Sequence, residues 1–302
     1  MAITYNDLYI DSARALGPLC DSSQAAKLEA RELICSVSGK SLEQFTQDQF
    51  LYTTDAIVEA VQAMVERRKA GEPIAYVIGQ WDFCGLTFEI NPSVLIPRTD
   101  TEMLANLAIK RAEELPGNIR VLDLCAGSGC VGITIAHRMK NARAVLVDLS
   151  DGALELCKKN IRRHKLTGRV VYLKGDAMLP PSHALGQFDL LVSNPPYIPS
   201  GDIPGLDREV RDFEPVMALD GGEDGLDFYR AITKLWKSAL KPGGLLLCEV
   251  GIGQSEKVAY MLAKAGFQKI CITRDTGGID RVVEGIVPKL SEPLHEKTEE
   301  ET

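Results

Sequence analysis

Four consecutive residues, Asn194-Pro195-Pro196-Tyr197, have the side chains in this sequence that are best suited to chemistry. They follow the apolar run 188–193, which predicts a buried strand. Because proline has no backbone N–H group, two prolines cannot continue a sheet, and the strand must end there. An amide and an aromatic ring are then left at the carboxyl end of the strand, where ligands bind in open α/β sheets. A proline-rich loop without function would have the same residues, so a second motif is needed.

A glycine-rich segment, residues 123–129 (Asp-Leu-Cys-Ala-Gly-Ser-Gly), lies between a predicted strand and a predicted helix. Glycines let a ligand approach the backbone, and a helix N-terminus offers it unpaired N–H groups. The segment begins a G-x-G-x-x-G match, which is weak alone and also compatible with a dinucleotide site. Asp123, four residues before Gly127, instead matches the D-x-x-x-G-x-G loop of S-adenosylmethionine-dependent enzymes. No Gly-Lys-Ser/Thr follows, which argues against a nucleoside triphosphatase.

Two aspartates follow the next two predicted strands. Asp148 lies 19 residues after Gly129, where its carboxylate can accept hydrogen bonds from both ribose hydroxyls of a nucleoside cofactor. The alternative is a helix N-cap role shared with Ser150 and Asp151. Asp176 follows the third strand, in the loop that borders the adenine in a methyltransferase. The alternative for Asp176 is an ordinary turn residue.

With a nucleoside cofactor nearby, the tetrapeptide suggests methyl transfer to a planar amino group. Such a nitrogen is a poor nucleophile because its lone pair is delocalised. The side-chain carbonyl of Asn194 and the backbone carbonyl of Pro195 can each accept one N–H, which orients the nitrogen and draws off positive charge as it forms. Tyr197 can pack against the flat face of the amide or base. No strong general base is needed, since the methylated nitrogen loses its proton readily.

Strands and helices alternate from residue 119 to about residue 287. This order predicts an α/β fold with a mostly parallel sheet and helices on both faces. A helix is predicted over 227–240, ended by the turn 241–244 (Lys-Pro-Gly-Gly), and a strand over 245–250. The segment 198–226 has little predicted regular structure, and long irregular loops of this kind are typical of lids and binding loops.

The amino-terminal third of the chain has a different pattern. Residues 1–72 predict a small bundle of three helices without a catalytic motif. A β-hairpin linker is predicted next, with short strands at 76–79, 81–90 and 94–96. Thr99 and Glu102 have the spacing of a capping box for the following helix. Arg98, directly before them, has no structural explanation in the sequence.

The composition, 45% hydrophobic and 25% charged, is typical of a globular protein. About half of the net charge of −8 comes from the last twelve residues, which predict an acidic disordered tail. The remainder has no obvious basic cluster, so no direct nucleic-acid partner is expected. The eight cysteines and four histidines are scattered, which predicts neither a metal site nor a disulfide framework. No secretory signal and no apolar run of membrane-spanning length is visible, and we expect a cytoplasmic monomer without a membrane partner.

The two motifs together resemble a class I S-adenosylmethionine-dependent methyltransferase, with a Rossmann-like seven-stranded sheet, that modifies planar amino groups. More narrowly, the chain resembles the HemK/PrmC family, the peptide chain release factor N(5)-glutamine methyltransferases. The resemblance runs from the helical region through segment 94–102 and both motifs to Phe213-Glu214-Pro215. It implies methyl transfer from S-adenosyl-L-methionine to the glutamine amide of the Gly-Gly-Gln motif in release factors, with S-adenosyl-L-homocysteine as the product.

The resemblance also implies a division of the chain and a set of site residues. The four parts are a substrate-recognition domain, a hairpin linker, a methyltransferase domain and the tail, at residues 1–72, 73–97, 98–288 and 289–302. The residues that would hold the glutamine and support catalysis are Asn194, Pro195, Pro196 and Tyr197. The residues that would bind the cofactor are Cys125, Ala126, Gly127, Ser128, Gly129, Asp148, Asp176, Ala177 and Asn194.

The chain departs from the family pattern at three places. Cys125-Ala126 replaces the Gly-Thr of the family's Gly-Thr-Gly-x-Gly loop, Thr99 replaces the second proline of Pro-Arg-Pro-Asp-Thr-Glu, and Ala177 stands where an aromatic residue can follow Asp176. These departures bear on cofactor affinity rather than on the activity.

Three alternative functions share one or both motifs. A DNA or RNA methyltransferase acting on exocyclic amines would need base flipping and a basic or aromatic recognition surface. Ribosomal-protein glutamine methyltransferases share the tetrapeptide, but segment 97–102 favours release factors. A cofactor-binding sensor without catalysis would not need an intact Asn-Pro-Pro-Tyr.

Overall fold

The structure, a computed structural model, describes residues 3–289 of the 302-residue chain. Its amino-terminal part is a helical bundle, made of α1 (Tyr5–Leu16), α2 (Ser23–Ser38), α3 (Leu42–Asp48) and α4 (Asp55–Lys69). Each helix begins after a hydroxyl side chain that accepts a backbone N–H of the first turn, as N-caps do. The bundle has its own core, in which Leu16, Leu33, Ile34 and Val61 are fully buried. Three helices were predicted, and the short α3 was missed.

The linker contains the predicted hairpin but fewer strands than predicted. Strands β1 (Gln80–Phe83) and β2 (Leu86–Glu89) pair antiparallel. The predicted strand at 76–79 is wrong, because these residues belong to helix α5 (Ile74–Ile78), which Gly79 ends at φ +79°. The predicted strand at 94–96 is also wrong. Val94 and Ile96 are apolar because they are buried against the main core, without belonging to any sheet.

A seven-stranded sheet forms the centre of the second part, in the order β5-β4-β3-β6-β7-β9-β8. Strand β9 runs opposite to the other six strands of this sheet. The mostly parallel α/β sheet predicted from the sequence is thereby confirmed. The strands are β3 (Ile119–Leu124), β4 (Ala142–Asp148), β5 (Val170–Lys174), β6 (Phe188–Ser193), β7 (Leu240–Glu249), β8 (Gln268–Arg274) and β9 (Asp280–Ile286).

Helices cover both faces of this sheet. These helices are α6 (Thr99–Glu113), α7 (Cys130–Arg138), α8 (Asp151–Arg163), α10 (Asp227–Leu235) and α11 (Ser255–Lys264). A further helix, α9 (Arg208–Phe213), lies in the segment 198–226. Successive residues of a strand point to opposite faces. Val121 and Leu190 accordingly pack with α6, α7 and α8, whereas Leu122 and Leu191 pack with α10 and α11. Two apolar layers, one on each side, therefore fix the sheet and the positions at which its strands end.

Strand β7 begins earlier than predicted. Helix α10 ends at Leu235, and a 3₁₀ turn over Trp236–Ala239 leads directly into the strand. The predicted turn at 241–244 lies inside β7, where Gly243 at φ +84° accompanies a shift in the pairing with β6. Glycine at this φ permits an irregularity within a strand, so the Lys-Pro-Gly-Gly sequence marks a bulge rather than the end of a helix.

The segment 198–226 contains more structure than predicted, namely helix α9 and two 3₁₀ turns. Three ion pairs among the described residues attach it to other elements. Glu214 pairs with Arg98 at the start of α6, Glu209 pairs with Arg68 of α4 at 3.0 Å, and Asp224 pairs with Arg230 of α10 at 2.5 Å. Within residues 3–289 no helix has both the length and the apolarity to cross a membrane. The predicted tail beyond residue 289 lies outside the described residues.

Candidate active site

Strands β3, β4, β5 and β6 end at one cavity of about 490 Å³. Most predicted site residues line it, namely Cys125, Ala126, Gly127, Ser128, Asp148, Asp176, Ala177, Asn194 and Pro196. Gly129, Pro195 and Tyr197 lie next to these residues but do not line the cavity. The linker and the segment 198–226 close the remaining sides, through residues such as Leu95 and Met217. The two sequence motifs thus meet at the carboxyl ends of the strands, around a pocket of the size that small ligands occupy.

The glycine loop takes left-handed backbone conformations at three positions, Cys125 (φ +62°), Gly127 (φ +56°) and Gly129 (φ +80°). Gly129 is also closely packed, because a β-carbon there would lie 2.8 Å from a methyl group of Leu146. Cys125 adopts a conformation that glycine takes freely and other residues take with strain. The replacement of glycine at this position therefore stores strain in the loop.

Asp123 holds the helix that follows the glycine loop. Its Oδ2 atom accepts the Gly132 N–H at 2.7 Å, and a β-carbon on Gly132 would lie 2.9 Å from the same oxygen. Burial raises the pKa of Asp123 to about 7, although the hydrogen bond from Gly132 opposes this shift. The acidic residue that distinguished the motif in the sequence thus bonds to the first turn of α7.

Asp148 holds the loop from the neighbouring strand. Its Oδ2 atom accepts the Gly127 N–H at 2.8 Å, and its Oδ1 atom accepts the Ser150 N–H at 2.9 Å. Burial raises the pKa of Asp148, and the backbone hydrogen bonds oppose the shift. Ser150, not Asp148, is the N-cap of α8. A carboxylate accepts about four hydrogen bonds, so each oxygen of Asp148, which lines the cavity, has a further lone pair.

Asp176 and Ala177 form a turn after β5. The Oδ1 atom of Asp176 accepts the Met178 N–H at 2.8 Å, as in an Asx turn. Ala177 is buried, and its carbonyl accepts the Trp236 indole N–H at 2.9 Å. The Asp176 side chain and Trp236, in the 3₁₀ turn after α10, therefore fix this turn. Both Asp176 and Ala177 line the cavity.

The tetrapeptide follows β6 as expected. The Asn194 Nδ2 group donates to the Thr101 hydroxyl at 3.0 Å, which leaves the side-chain carbonyl of Asn194 for the cavity. The Pro195 carbonyl accepts none of the hydrogen bonds found among residues 3–289. The Tyr197 carbonyl accepts Gln254 Nε2 at 2.9 Å, and burial raises the pKa of the Tyr197 phenol to about 12. Two carbonyls of the tetrapeptide thus remain as acceptors.

Two residues next to the tetrapeptide were not predicted for the site. Thr101 lies in the first turn of α6 and lines the cavity. Glu249 is the last residue of β7 and is 1% exposed. The sequence does contain an indication of Glu249, because a carboxylate that ends a run of four apolar residues is expensive to bury.

The predicted capping box is wrong, and Arg98 gains an explanation. Helix α6 has no side-chain cap, and Glu102 instead accepts the Cys84 N–H at 2.6 Å. Arg98 pairs with Glu214, whose side chain is 1% exposed. Burial raises the pKa of Glu214, while the charge of Arg98 lowers it. Arg98 therefore compensates a buried carboxylate that attaches the segment 198–226 to the start of α6.

A mostly parallel sheet with one antiparallel strand, a glycine loop after the first strand and Asn-Pro-Pro-Tyr after the fourth define an α/β methyltransferase. Comparison with known proteins agrees. The methyltransferase small domain matches residues 101–203, and the PrmC N-terminal domain matches residues 19–79. The hMettl16 catalytic domain, solved with the MAT2A 3′UTR hairpin 6, shares the fold with a TM-score of 0.54 at 14% identity, over 83% of this chain and 91% of that one.

Curated relatives narrow the class further. A release factor glutamine methyltransferase of Geobacter sulfurreducens is 46% identical over 226 residues, 75% of this chain and 77% of the relative. One from Bradyrhizobium diazoefficiens is 36% identical over 283 residues, 91% of this chain and 93% of the relative. The chain belongs to the release factor glutamine methyltransferase family, as the sequence motifs predicted.

Proposed function

We propose that this protein transfers the methyl group of S-adenosyl-L-methionine to the side-chain amide nitrogen of the glutamine in the Gly-Gly-Gln motif of peptide chain release factors. The observation that carries the proposal is a pair of free carbonyl acceptors directly after β6, namely the side chain of Asn194, which lines the cavity, and the backbone carbonyl of the adjacent Pro195. A primary amide has two N–H donors in one plane, which such a pair can accept together. Family membership supports the protein substrate.

The cavity residues fit the proposed cofactor. The Ser128 hydroxyl lines the cavity, is buried and has no hydrogen-bond partner among the described residues. Asp148 offers carboxylate lone pairs suited to ribose hydroxyls, and the loop 125–129 exposes backbone to an incoming ligand. The bound cofactor supplies an electrophilic methyl group on a sulfonium. We propose Asp176 and Ala177 for the adenine side, on the basis of their place in the cavity wall.

The chain's own residues carry out three tasks in the transfer. Asn194 and Pro195 accept the two N–H groups of the glutamine amide, and thereby turn the nitrogen lone pair toward the cofactor side. The same two oxygens stabilise the positive charge that develops on the nitrogen. Tyr197 packs beside the acceptor with a neutral phenol, since its pKa of about 12 keeps it protonated at physiological pH. The proton leaves afterwards to water, because the methylated amide nitrogen is strongly acidic.

The parts of the chain are proposed to divide the work. Residues 1–72 would recognise the release factor, residues 73–97 would link the two parts, and residues 98–288 would bind the cofactor and catalyse transfer. Support comes from the separate core of the bundle and from its ion pair with α9, which places the bundle beside the segment over the cavity.

The test is methyl transfer from labelled S-adenosyl-L-methionine to a purified release factor. We expect label on the factor, and none on a factor in which the Gly-Gly-Gln glutamine is replaced by alanine. Digestion and mass spectrometry should place the added methyl group on that glutamine. DNA, RNA and ribosomal proteins serve as competing acceptors, and preferential labelling of any of them would contradict the proposal.

A further inference from the structure

Glu249 is a buried carboxylate beside the acceptor-binding residues that has no role in the steps above. It does not line the cavity, and its Oε2 atom has no hydrogen-bond partner among residues 3–289. Strand β7 pairs with β6 in a register that sets Cys248 opposite Ser193, so Glu249 follows at the level of Asn194. Burying a carboxylate with an unsatisfied oxygen is costly, and such a cost usually persists at functional sites.

The side chains of Asn194, Thr101 and Glu249 form a series. Asn194 Nδ2 donates to Thr101 Oγ1 at 3.0 Å, and the Thr101 and Asn194 side chains lie close enough to Glu249 to lower the pKa of its carboxyl, against the larger effect of burial. The Thr101 hydroxyl has one proton to donate and two lone pairs. Among residues 3–289 the Thr101 hydroxyl donates to no other acceptor. An ionised Glu249 can only accept, so it attracts the Thr101 proton, and Thr101 then accepts from Asn194.

The protonation state of Glu249 decides which end of the Asn194 amide faces the cavity. The two ends of an amide have the same shape, so only the hydrogen-bond partners select one orientation. With Glu249 ionised, the NH₂ end turns to Thr101 and the carbonyl end to the cavity. With Glu249 protonated, the carboxyl can donate to Thr101, and the Thr101 proton can turn to the amide oxygen. The NH₂ end would then face the cavity, where it cannot accept an N–H from the substrate.

We propose that Glu249 is a positioning residue that, as a carboxylate and through Thr101, holds the Asn194 carbonyl toward the glutamine substrate. The proposal rests on the proposed function for its substrate. A negative charge at the far end of the series also polarises the amide and makes its oxygen a stronger acceptor. Glu249 itself touches neither the cavity nor the reacting atoms.

Charged and titratable groups surround Glu249 on several elements. Burial raises its pKa to about 7, with Asp100 of α6 raising it and Arg281 of β9 lowering it. Asp100 and Arg281 also pair with each other at 2.8 Å. The remaining titratable neighbours are the side chains of Cys130, Tyr197 and Tyr229. Since the carboxylate is the active form, activity should fall as the pH decreases through about 7.

The experiment compares the wild-type protein with E249Q and T101V, with T101S as the matched control. Wild-type kcat at saturating cofactor and release factor should fall about tenfold from pH 8 to pH 6, the loss of ionised Glu249 across its pKa. E249Q should be about threefold or more below the wild type at pH 8 and nearly independent of pH. T101V should lose activity similarly, whereas T101S, which keeps the hydroxyl, should retain the wild-type profile.

A second measurement needs no substrate. The Asn194 side-chain NH₂ signals in ¹⁵N NMR, assigned by their loss in N194A, should shift with a midpoint near pH 7 in the wild type and remain constant in E249Q. Asp123 also has a pKa raised to about 7, so a titration that persists in E249Q would overturn the proposal. Equal kcat and pH profiles of E249Q and the wild type would do the same. Failure of the wild type to methylate a release factor contradicts only the proposed function.

Discussion

The two halves of the cavity are built in different ways. The half formed by β3 and β4 consists mainly of backbone, in left-handed conformations at residues 125, 127 and 129, and the Asp148 carboxylate holds it through the Gly127 N–H. The half formed by β6 depends on the side chains of Asn194 and Thr101, which come from distant stretches of the chain, and on the buried Glu249 behind them. Backbone groups keep their positions when side chains are replaced, whereas a set of interacting side chains is disrupted by the loss of any member. Substitutions should therefore separate cofactor binding from transfer.

The largest expected effect is on the side-chain half. Asn194→Ala removes one of the two proposed acceptors for the amide, and loss of such a group typically lowers kcat by about 10²–10³-fold. The Kd for S-adenosyl-L-methionine should change by no more than about threefold, since the glycine loop and Asp148 stay intact. Single-turnover transfer and calorimetry measure the two quantities. A parallel loss of cofactor binding would show that the halves are not separable.

The next effect is on the backbone half. Asp148→Ala removes the proposed ribose acceptor and releases the Gly127 N–H, and we expect the Kd for the cofactor to rise by about 10–100-fold. At saturating cofactor, kcat should stay within about fivefold of the wild type. Asp148→Asn is the matched control, because it keeps one carbonyl acceptor and should fall between the two. A normal Kd for both variants would assign the ribose contact elsewhere.

A smaller effect is expected where the segment 198–226 meets the start of α6. Arg98→Ala leaves the buried Glu214 without its cation, which should lower the free energy of unfolding by about 1–3 kcal/mol. The double variant Arg98→Met/Glu214→Gln should recover much of the loss, because no charge then stays buried alone. Urea unfolding of the three proteins measures this. Equal stability of Arg98→Ala and the wild type would mean that water compensates Glu214.

The smallest effect concerns backbone strain in the glycine loop. Cys125→Gly places glycine at φ +62°, and it should raise the free energy of unfolding by about 0.5–1 kcal/mol after the added flexibility of the unfolded chain is subtracted. Cys125→Ala keeps the β-carbon and the strain, so it should not be stabilised. If alanine and glycine give the same stability, the thiol rather than the backbone conformation determines the effect.

The sequence predicted those features that depend on local pattern. The strands 119–124 and 188–193 and helix 151–163 have the bounds that the apolar pattern indicated. The predictions failed where tertiary packing decides the structure. Residues 94–96 are apolar because they pack on the core, and Glu102 bonds to Cys84, eighteen residues away in the chain, instead of capping its own helix.

The site residues divide in the same way, into those set by local sequence pattern and those set by tertiary packing. Adjacent residues such as the glycine loop and the tetrapeptide could be recognised by their spacing. Thr101 and Glu249 could not, since they approach Asn194 only when α6 packs across the ends of β6 and β7. Arg98 likewise has no explanation until the fold places Glu214 beside it.

The ion pairs of Arg68 have a consequence for dissecting the protein. Arg68, only 4% exposed, holds Glu29 of its own bundle at 2.9 Å and Glu209 of α9 at 3.0 Å. A fragment cut before residue 73 would contain every cavity residue, yet it would lack the ion pair that joins the segment 198–226 to α4. A minimal catalytic fragment is therefore better designed by retaining α4, or by replacing Glu209 with a neutral residue, than by cutting at the domain boundary.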